Sequence, residues 1–214
     1  MGMMPGGTVV VATKNAGKVR EFAHAFGKLG MDVVSMFDYP NLPDVVEDGA
    51  TFAENSRKKA REVAEALGMP VLADDSGLEV AALGGEPGVY SARYSGEGAT
   101  DARNNEKLLR ELARVTNGGE TAAQLADGTK LLSEARFVCA LSLYDPASGS
   151  FTESEGFVSG SIMDRPRGDG GFGYDPLFWV DSEQKGMAEM TKEEKQAIGH
   201  RGRALADLLR KLED

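Results

Sequence analysis

The sequence predicts a mixed α/β fold in which a central β-sheet is flanked by helices. Three observations carry this. Short β-branched runs alternate with helix-period segments through the N-terminal part of the chain, Thr51/Glu54 and Thr191/Glu194 are spaced as helix-opening capping boxes, and two longer strand-like runs flank a turn late in the chain.

The elements follow in order. Thr8 to Ala12 (TVVVA) reads as a buried strand, and the loop Thr13 to Lys18 (TKNAGK) leads into a helix whose apolar face is Val19, Phe22, Ala23, Phe26 and Leu29, stopped at Gly30. Met31 to Met36 is a second strand. The helix opened by Thr51 runs to Leu67, with Gly68 and Pro70 as its stop. Val71 to Ala73 is strand-like and runs into Asp74-Asp75-Ser76-Gly77 at the expected strand end. After a turn-rich stretch, Gly84 to Gly98, Thr100 caps a helix to about Val115. Thr116 to Glu134, with turn signals at Asn117-Gly118-Gly119 and Asp127-Gly128, reads as a variable loop with room for a short helix. Arg136 to Tyr144 and Ser150 to Ile162 form a hairpin around Pro146-Ala147-Ser148-Gly149. A glycine-rich loop, Arg167 to Asp175, precedes an apolar strand, Pro176 to Val180. The last segment is a helix broken at Gly199 and then amphipathic through Leu205, Leu208, Leu209 and Leu212. Residues 1–7 read as a flexible leader and 8–214 as one domain.

Composition narrows the function. The 214 residues include 41% hydrophobic and 27% charged residues, ordinary globular values that argue against disorder. No apolar run is long enough to span a bilayer, and the N-terminal stretch lacks the basic and apolar regions of a secretory signal. A formal charge of −10 argues against a duplex nucleic-acid binder, leaving room for a small phosphorylated ligand held by local cations. One cysteine, Cys139, in an apolar run, and two histidines make thiolate or multi-His metal sites improbable. These features describe a cytoplasmic chain.

Four motifs carry chemistry. The loop Thr13-Lys14-Asn15-Ala16-Gly17-Lys18 sits between a strand and a helix start, where backbone amides, the helix dipole and two lysines favour a phosphate. It is not a Walker A loop, since Ala12 and Val19 stand where Gly and Ser/Thr are needed. Its bland alternative is a capped helix start with solvated lysines. Gly168-Asp169-Gly170-Gly171-Phe172-Gly173 spells a dinucleotide fingerprint but precedes a strand rather than a helix, so that reading is rejected; Phe172 remains available to stack on a flat ligand. Asp74-Asp75-Ser76-Gly77 offers carboxylates on opposite faces of a strand end, one able to hold magnesium or orient water, against the alternative of an Asx-turn. Glu47 and Asp48, in the turn before Gly49, could complete an oxygen site or be plain solvated charge. Lys195, His200 and Arg201 form a donor-rich group suited to phosphate or a purine carbonyl, against a solvated helix face.

Together these stretches resemble the non-canonical purine nucleoside triphosphate pyrophosphatases, the inosine/xanthosine triphosphatase family. The matching segments, in family order, are Ala12 to Phe22, Thr51 to Ala60, Leu72 to Gly96, Arg165 to Phe178 and Ala188 to Leu205. The resemblance implies an elongated, two-lobed fold with a nucleotide cleft between the lobes, a homodimer, and magnesium-dependent hydrolysis of ITP, dITP and XTP to monophosphate and pyrophosphate, which keeps these nucleotides out of DNA and RNA. By the same resemblance Thr13, Lys14, Asn15, Ala16, Gly17 and Lys18 bind the triphosphate. Asp75 is the proton acceptor and, with Glu47, a magnesium ligand; Ser76 and Lys59 contact substrate. Phe172, Gly173, Tyr174 and Asp175 bind the nucleoside, and Lys195, His200 and Arg201 complete the contacts. Three positions depart from the family: Gly199 replaces a common Ser, Lys14 a common Gly, and the loop from Thr116 is longer. Dimer contacts are guessed at Leu78 to Leu83 and Tyr90 to Tyr94. A pyrophosphatase for other modified nucleotides and a non-catalytic nucleotide sensor stay in view.

Overall fold

A computed structural model describes residues 7–42, 44–116 and 123–213. The leader and the turn signal Asn117-Gly118-Gly119 fall largely or wholly outside these. The strands are β1 (Thr8–Val11), β2 (Asp32–Ser35), β3 (Val71–Val80), β4 (Ala123–Gln124), β5 (Lys130–Asp145), β6 (Ser150–Met163), β7 (Phe178–Val180) and β8 (Lys185–Gly186). The helices are α1 (Ala16–Gly27), α2 (Phe52–Leu67), α3 (Asp101–Val115), α4 (Lys192–Ile198) and α5 (His200–Glu213). One mixed sheet runs in the order β2-β1-β3-β5-β6-β7-β8, with β4 paired to β5. β1 is parallel to both β2 and β3, whereas β7 is antiparallel to β6 and β8. Among the described residues, no helix is long and apolar enough to cross a membrane.

The chain divides into two compact units, one of Met1–Asp75, Cys139–Gly156 and Arg203–Asp214, the other of Ser76–Val138 and Phe157–Gly202. In the first, strand alternation sorts side chains to two cores. Val9, Val11 and Leu72 pack with Phe22 and Phe26 of α1 and Ala204, Leu205 and Leu208 of α5. Val10, Ala12, Val71 and Ala73 pack on the other face with Ala60, Val63 and Ala64 of α2. Each fully buried ring such as Phe22 or Phe26 contributes about 2 kcal/mol by leaving water. In the second unit, Leu78 and Val80 of β3, Leu108 and Leu112 of α3, Phe137 of β5 and Phe178 of β7 share one core.

Helix boundaries follow local chemistry. Thr51, Thr100 and Thr191 each accept from the amide three residues on, and Glu194 closes the last cap by accepting from Thr191 N. Gly199 separates α4 from α5 as the sequence predicts.

Three expectations change. Asp74-Asp75-Ser76-Gly77 is neither a strand end nor a turn: β3 runs straight through it to Val80. The reason is that both carboxylates are engaged away from their own backbone, as described below. The segment expected as a loop from Thr116 to Glu134 contains β4 and the first residues of β5, around a turn in which Asp127 Oδ1 accepts from Thr129 N. Leu78 and Val80, guessed as dimer contacts, are fully buried in this chain's own core, whereas Tyr90 is exposed with the Arg93 guanidinium 5.1 Å from its ring centroid.

Candidate active site

The first unit gathers charge around one stretch of β3. Leu72 faces α1 and Ala73 faces α2, so the next two residues repeat that alternation. Asp74 turns to the α1 side, where Lys18 Nζ donates to its Oδ2 at 2.5 Å. Its side chain is 2% exposed and that of Lys18 19%, so this is a largely desolvated ion pair. Asp75 turns to the α2 side and accepts from Asn55 Nδ2 at 3.0 Å. Lys59, one helical turn beyond Asn55, donates to the Asp74 carbonyl at 3.1 Å and pairs with Glu47.

The surroundings perturb the Asp75 carboxyl. Its pKa is raised from 3.8 to about 6, chiefly by burial; the Asn55 hydrogen bond and Lys59 pull it down, while Glu47 and Asp74 push it up. A carboxyl that titrates near neutrality beside lysines is a fit acceptor for a water proton. Among the described residues no three His, Cys, Asp or Glu side chains converge as a ready cage. Magnesium does not demand one, since it keeps waters and substrate phosphates among its ligands and takes one or two protein carboxylates. The mutual repulsion of Asp75 and Glu47 is what a divalent cation would relieve, so this donor set fits the ion.

The strand-to-helix loop is capped from within. Asn15 Oδ1 accepts from Gly17 N at 2.9 Å and Lys18 N at 3.2 Å, and Thr13 Oγ1 accepts from Asn15 N. Two amides expected to face phosphate are therefore taken by the cap in this structure. Ala16 is the first residue of α1, and Lys14 is exposed and paired with Asp44. Glu47 and Asp48 lie in an irregular segment without turn hydrogen bonding, where Asp48 pairs with Lys58 instead of joining Glu47 in an oxygen site.

The second unit holds the other set. Ser76 follows Asp75 in β3 and is half-buried. The glycine-rich loop ends in a single 3-10 turn, Asp175–Leu177, and enters β7 without opening an α-helix, as the rejection of the dinucleotide fingerprint requires. Phe172 stands 62% exposed on it. Asp175 Oδ2 accepts from Phe172 N at 3.2 Å and from Lys195 Nζ at 2.9 Å. A side chain at Gly171 would run into that same carboxylate and Lys195 Nζ. Tyr174 is buried, with its hydroxyl donating to Ser91 O at 2.8 Å and its pKa pushed upward by burial. Gly173 is held by Asp101 and Asn105 of α3. His200 stacks on Phe137 with centroids 5.2 Å apart and planes 19° apart, and both His200 and Arg201 are half-buried, which disposes of the solvated-face reading.

Asn55 escaped the residue-by-residue reading. It is 1% exposed and bridges two parts of the site, accepting from Gly49 N at 2.8 Å while donating to Asp75. Its signal was an asparagine, a poor helix former, inside a strongly formed helix and four residues before Lys59 on the same face.

Known proteins resemble this chain over nearly its whole length. The Ham1 family pattern matches residues 9–211. A protein of Geobacillus kaustophilus named dITP/XTP pyrophosphatase is 50% identical over 200 residues, spanning 94% of this chain and 91% of its own. One of the same name from Geobacter sulfurreducens is 50% identical over 198 residues, with 92% of each chain covered. The solved Ham1 protein of Staphylococcus aureus superimposes with a TM-score of 0.83 at 42% identity, covering 96% of this chain and 98% of that one. A HAM1 protein of Coxiella burnetii gives 0.85 at 37% identity and 99% coverage of both. With a family pattern matched from β1 into α5 and relatives half identical along the same span, the chain belongs to the Ham1 family.

Proposed function

We propose that this chain is a cytoplasmic, homodimeric nucleoside triphosphate pyrophosphatase that uses magnesium to hydrolyse ITP, dITP and XTP at the α-phosphorus, yielding the monophosphate and pyrophosphate. The observation that carries the reading is Asp75, half-buried on β3 among Asn55, Glu47 and Lys59 with its pKa raised to about 6. The names of the relatives, dITP/XTP pyrophosphatase, point to the same substrates.

Asp75 accepts the proton of the attacking water, with Asn55 holding its carboxylate in place. Lys18 and Lys59, aided by Lys14, offset the charge that builds on the departing pyrophosphate. Magnesium, held by Asp75 and Glu47, would supply charge neutralisation on the phosphate oxygens and a more acidic water. Phe172 offers its exposed face to the base. His200 and Arg201 donate to a purine 6-oxygen; the 6-amino group of adenine would leave those donors unmatched, a discrimination of about 10⁴ at favourable sites.

The test is pyrophosphate release from ITP, XTP, GTP and ATP, each with magnesium and with EDTA. The expected result is magnesium-dependent release from ITP and XTP, at least about a hundredfold faster than from GTP and ATP. Release of single phosphates would refute attack at the α-phosphorus. Binding of ITP without turnover would mark a sensor, and preference for a modified pyrimidine would mark a different pyrophosphatase.

A further inference from the structure

We propose that Asp101 and Asn105 are positioning residues that aim the Phe172 platform by gripping a single residue of the glycine-rich loop. The proposal rests on the reading that Phe172 meets the base. Asp101 and Asn105 are four apart on α3 and so share a face. Asp101 Oδ2 accepts from Gly173 N at 2.7 Å, and Asn105 Nδ2 donates to Gly173 O at 2.9 Å. Both main-chain polar groups of residue 173 are therefore held by one stretch of helix.

Gly173 has φ +60, a left-handed conformation, although a side chain there would meet nothing within 4 Å. Glycine is thus demanded by the backbone shape the grip enforces, and not by lack of room. Phe172 lies next to this fixed point, and Asp175 Oδ2 fixes its own amide. A 62% exposed ring has little packing to orient it, so the main chain must do so.

The helix supplying the grip is itself immobilised. Leu108 and Leu112 are fully buried, and Asn104 donates to Ser91 O and Ala92 O while accepting from Ser95 N. Thr100 already caps α3, so Asp101 is not needed for that purpose. Asn105 is a poor helix former, and its Oδ1 is buried without a hydrogen bond. Such a residue costs stability at this position, and its bond to Gly173 is what offsets that.

The experiment compares the unmodified protein with Asp101→Ala, Asp101→Asn and Asn105→Ala. Hydrogen exchange of residues 170–176 is measured on the free protein, and KM and kcat are measured for XTP and dITP, with ATP as a control. Asp101→Ala and Asn105→Ala should each speed exchange in that loop and raise KM about tenfold, with kcat within about twofold, the size of effect one charge-assisted or well-aimed hydrogen bond supplies. Asp101→Asn, whose amide oxygen still accepts from Gly173 N, should restore both. An unchanged KM in Asp101→Ala overturns the proposal, as does a uniform fall in kcat for every substrate. Impairment of Asp101→Asn equal to that of Asp101→Ala also overturns it, because charge at the helix start would then be the cause. Inactivity of the unmodified protein on XTP and dITP would overturn the functional reading, and the exchange data would still decide whether the grip exists.

Discussion

Replacing Asp75 by Asn should make the metal-free protein more stable and nearly inactive at once. Burial raises this carboxyl from 3.8 to about 6, so between those values the native state binds a proton the unfolded chain has lost. Stability conferred by the protonated carboxyl therefore falls as pH rises through that window and stays low above it. At about 1.4 kcal/mol per tenfold change in proton affinity, keeping Asp75 ionised in the native state costs about 3 kcal/mol at pH 7.5. Asparagine carries no such charge, and its amide oxygen can still accept from Asn55 Nδ2. Thermal melts in EDTA should show Asp75→Asn about 6–12 °C above the unmodified protein at pH 7.5, the shift expected for a domain of this size, and no advantage below about pH 4. Pyrophosphate release should fall by at least about a hundredfold in kcat with modest change in KM. A Tm equal to or below that of the unmodified protein would refute the burial argument, and a near-normal kcat would refute the catalytic role.

Lys18→Met should leave the buried Asp74 carboxyl without its lysine and destabilise the protein by about 3 kcal/mol in urea unfolding. Adding Asp74→Asn should recover most of that stability while pyrophosphate release stays about a hundredfold down. Millimolar magnesium should raise the Tm of the unmodified protein but not of Asp75→Asn, because an ion held by that carboxylate stabilises only the state that binds it. Gly171→Ala should separate Asp175 from Lys195 and raise KM for XTP about tenfold, and it should also lower the Tm by a few degrees, because φ +83 is a left-handed conformation that strains alanine.

What was legible in the sequence was what local chemistry decides. Threonines at 51, 100 and 191 start helices because their hydroxyls satisfy amides a helix leaves open, and this needs no tertiary partner. β3 was cut short because Asp, Ser and Gly ordinarily fold back on their own backbone; here Lys18 and Asn55, 56 and 20 residues away in sequence, claim the carboxylates instead. The start of β5 was hidden by Ser133, a polar residue on a buried position whose hydroxyl accepts from Ala82 N, so the apolar alternation breaks where the strand does not. Asn55, Asp101 and Asn105 share one difficulty: each holds a group outside its own helix, on β3 or on the glycine-rich loop, and an Asn or Asp on a helix carries no local mark of its partner.

The alternation that sends Asp74 toward Lys18 and Asp75 toward Asn55 also restricts how this strand can change over evolutionary time. Inserting or deleting one residue just before the pair would exchange their faces relative to Leu72 and Ala73, offering the carboxyl of one to the surroundings of the other. Only a change of two residues would restore the order, and it would slide both carboxylates along the sheet away from their partners. A one-residue indel in this stretch therefore unmakes the pairing of both carboxylates at once, whereas a substitution leaves the register of the strand intact.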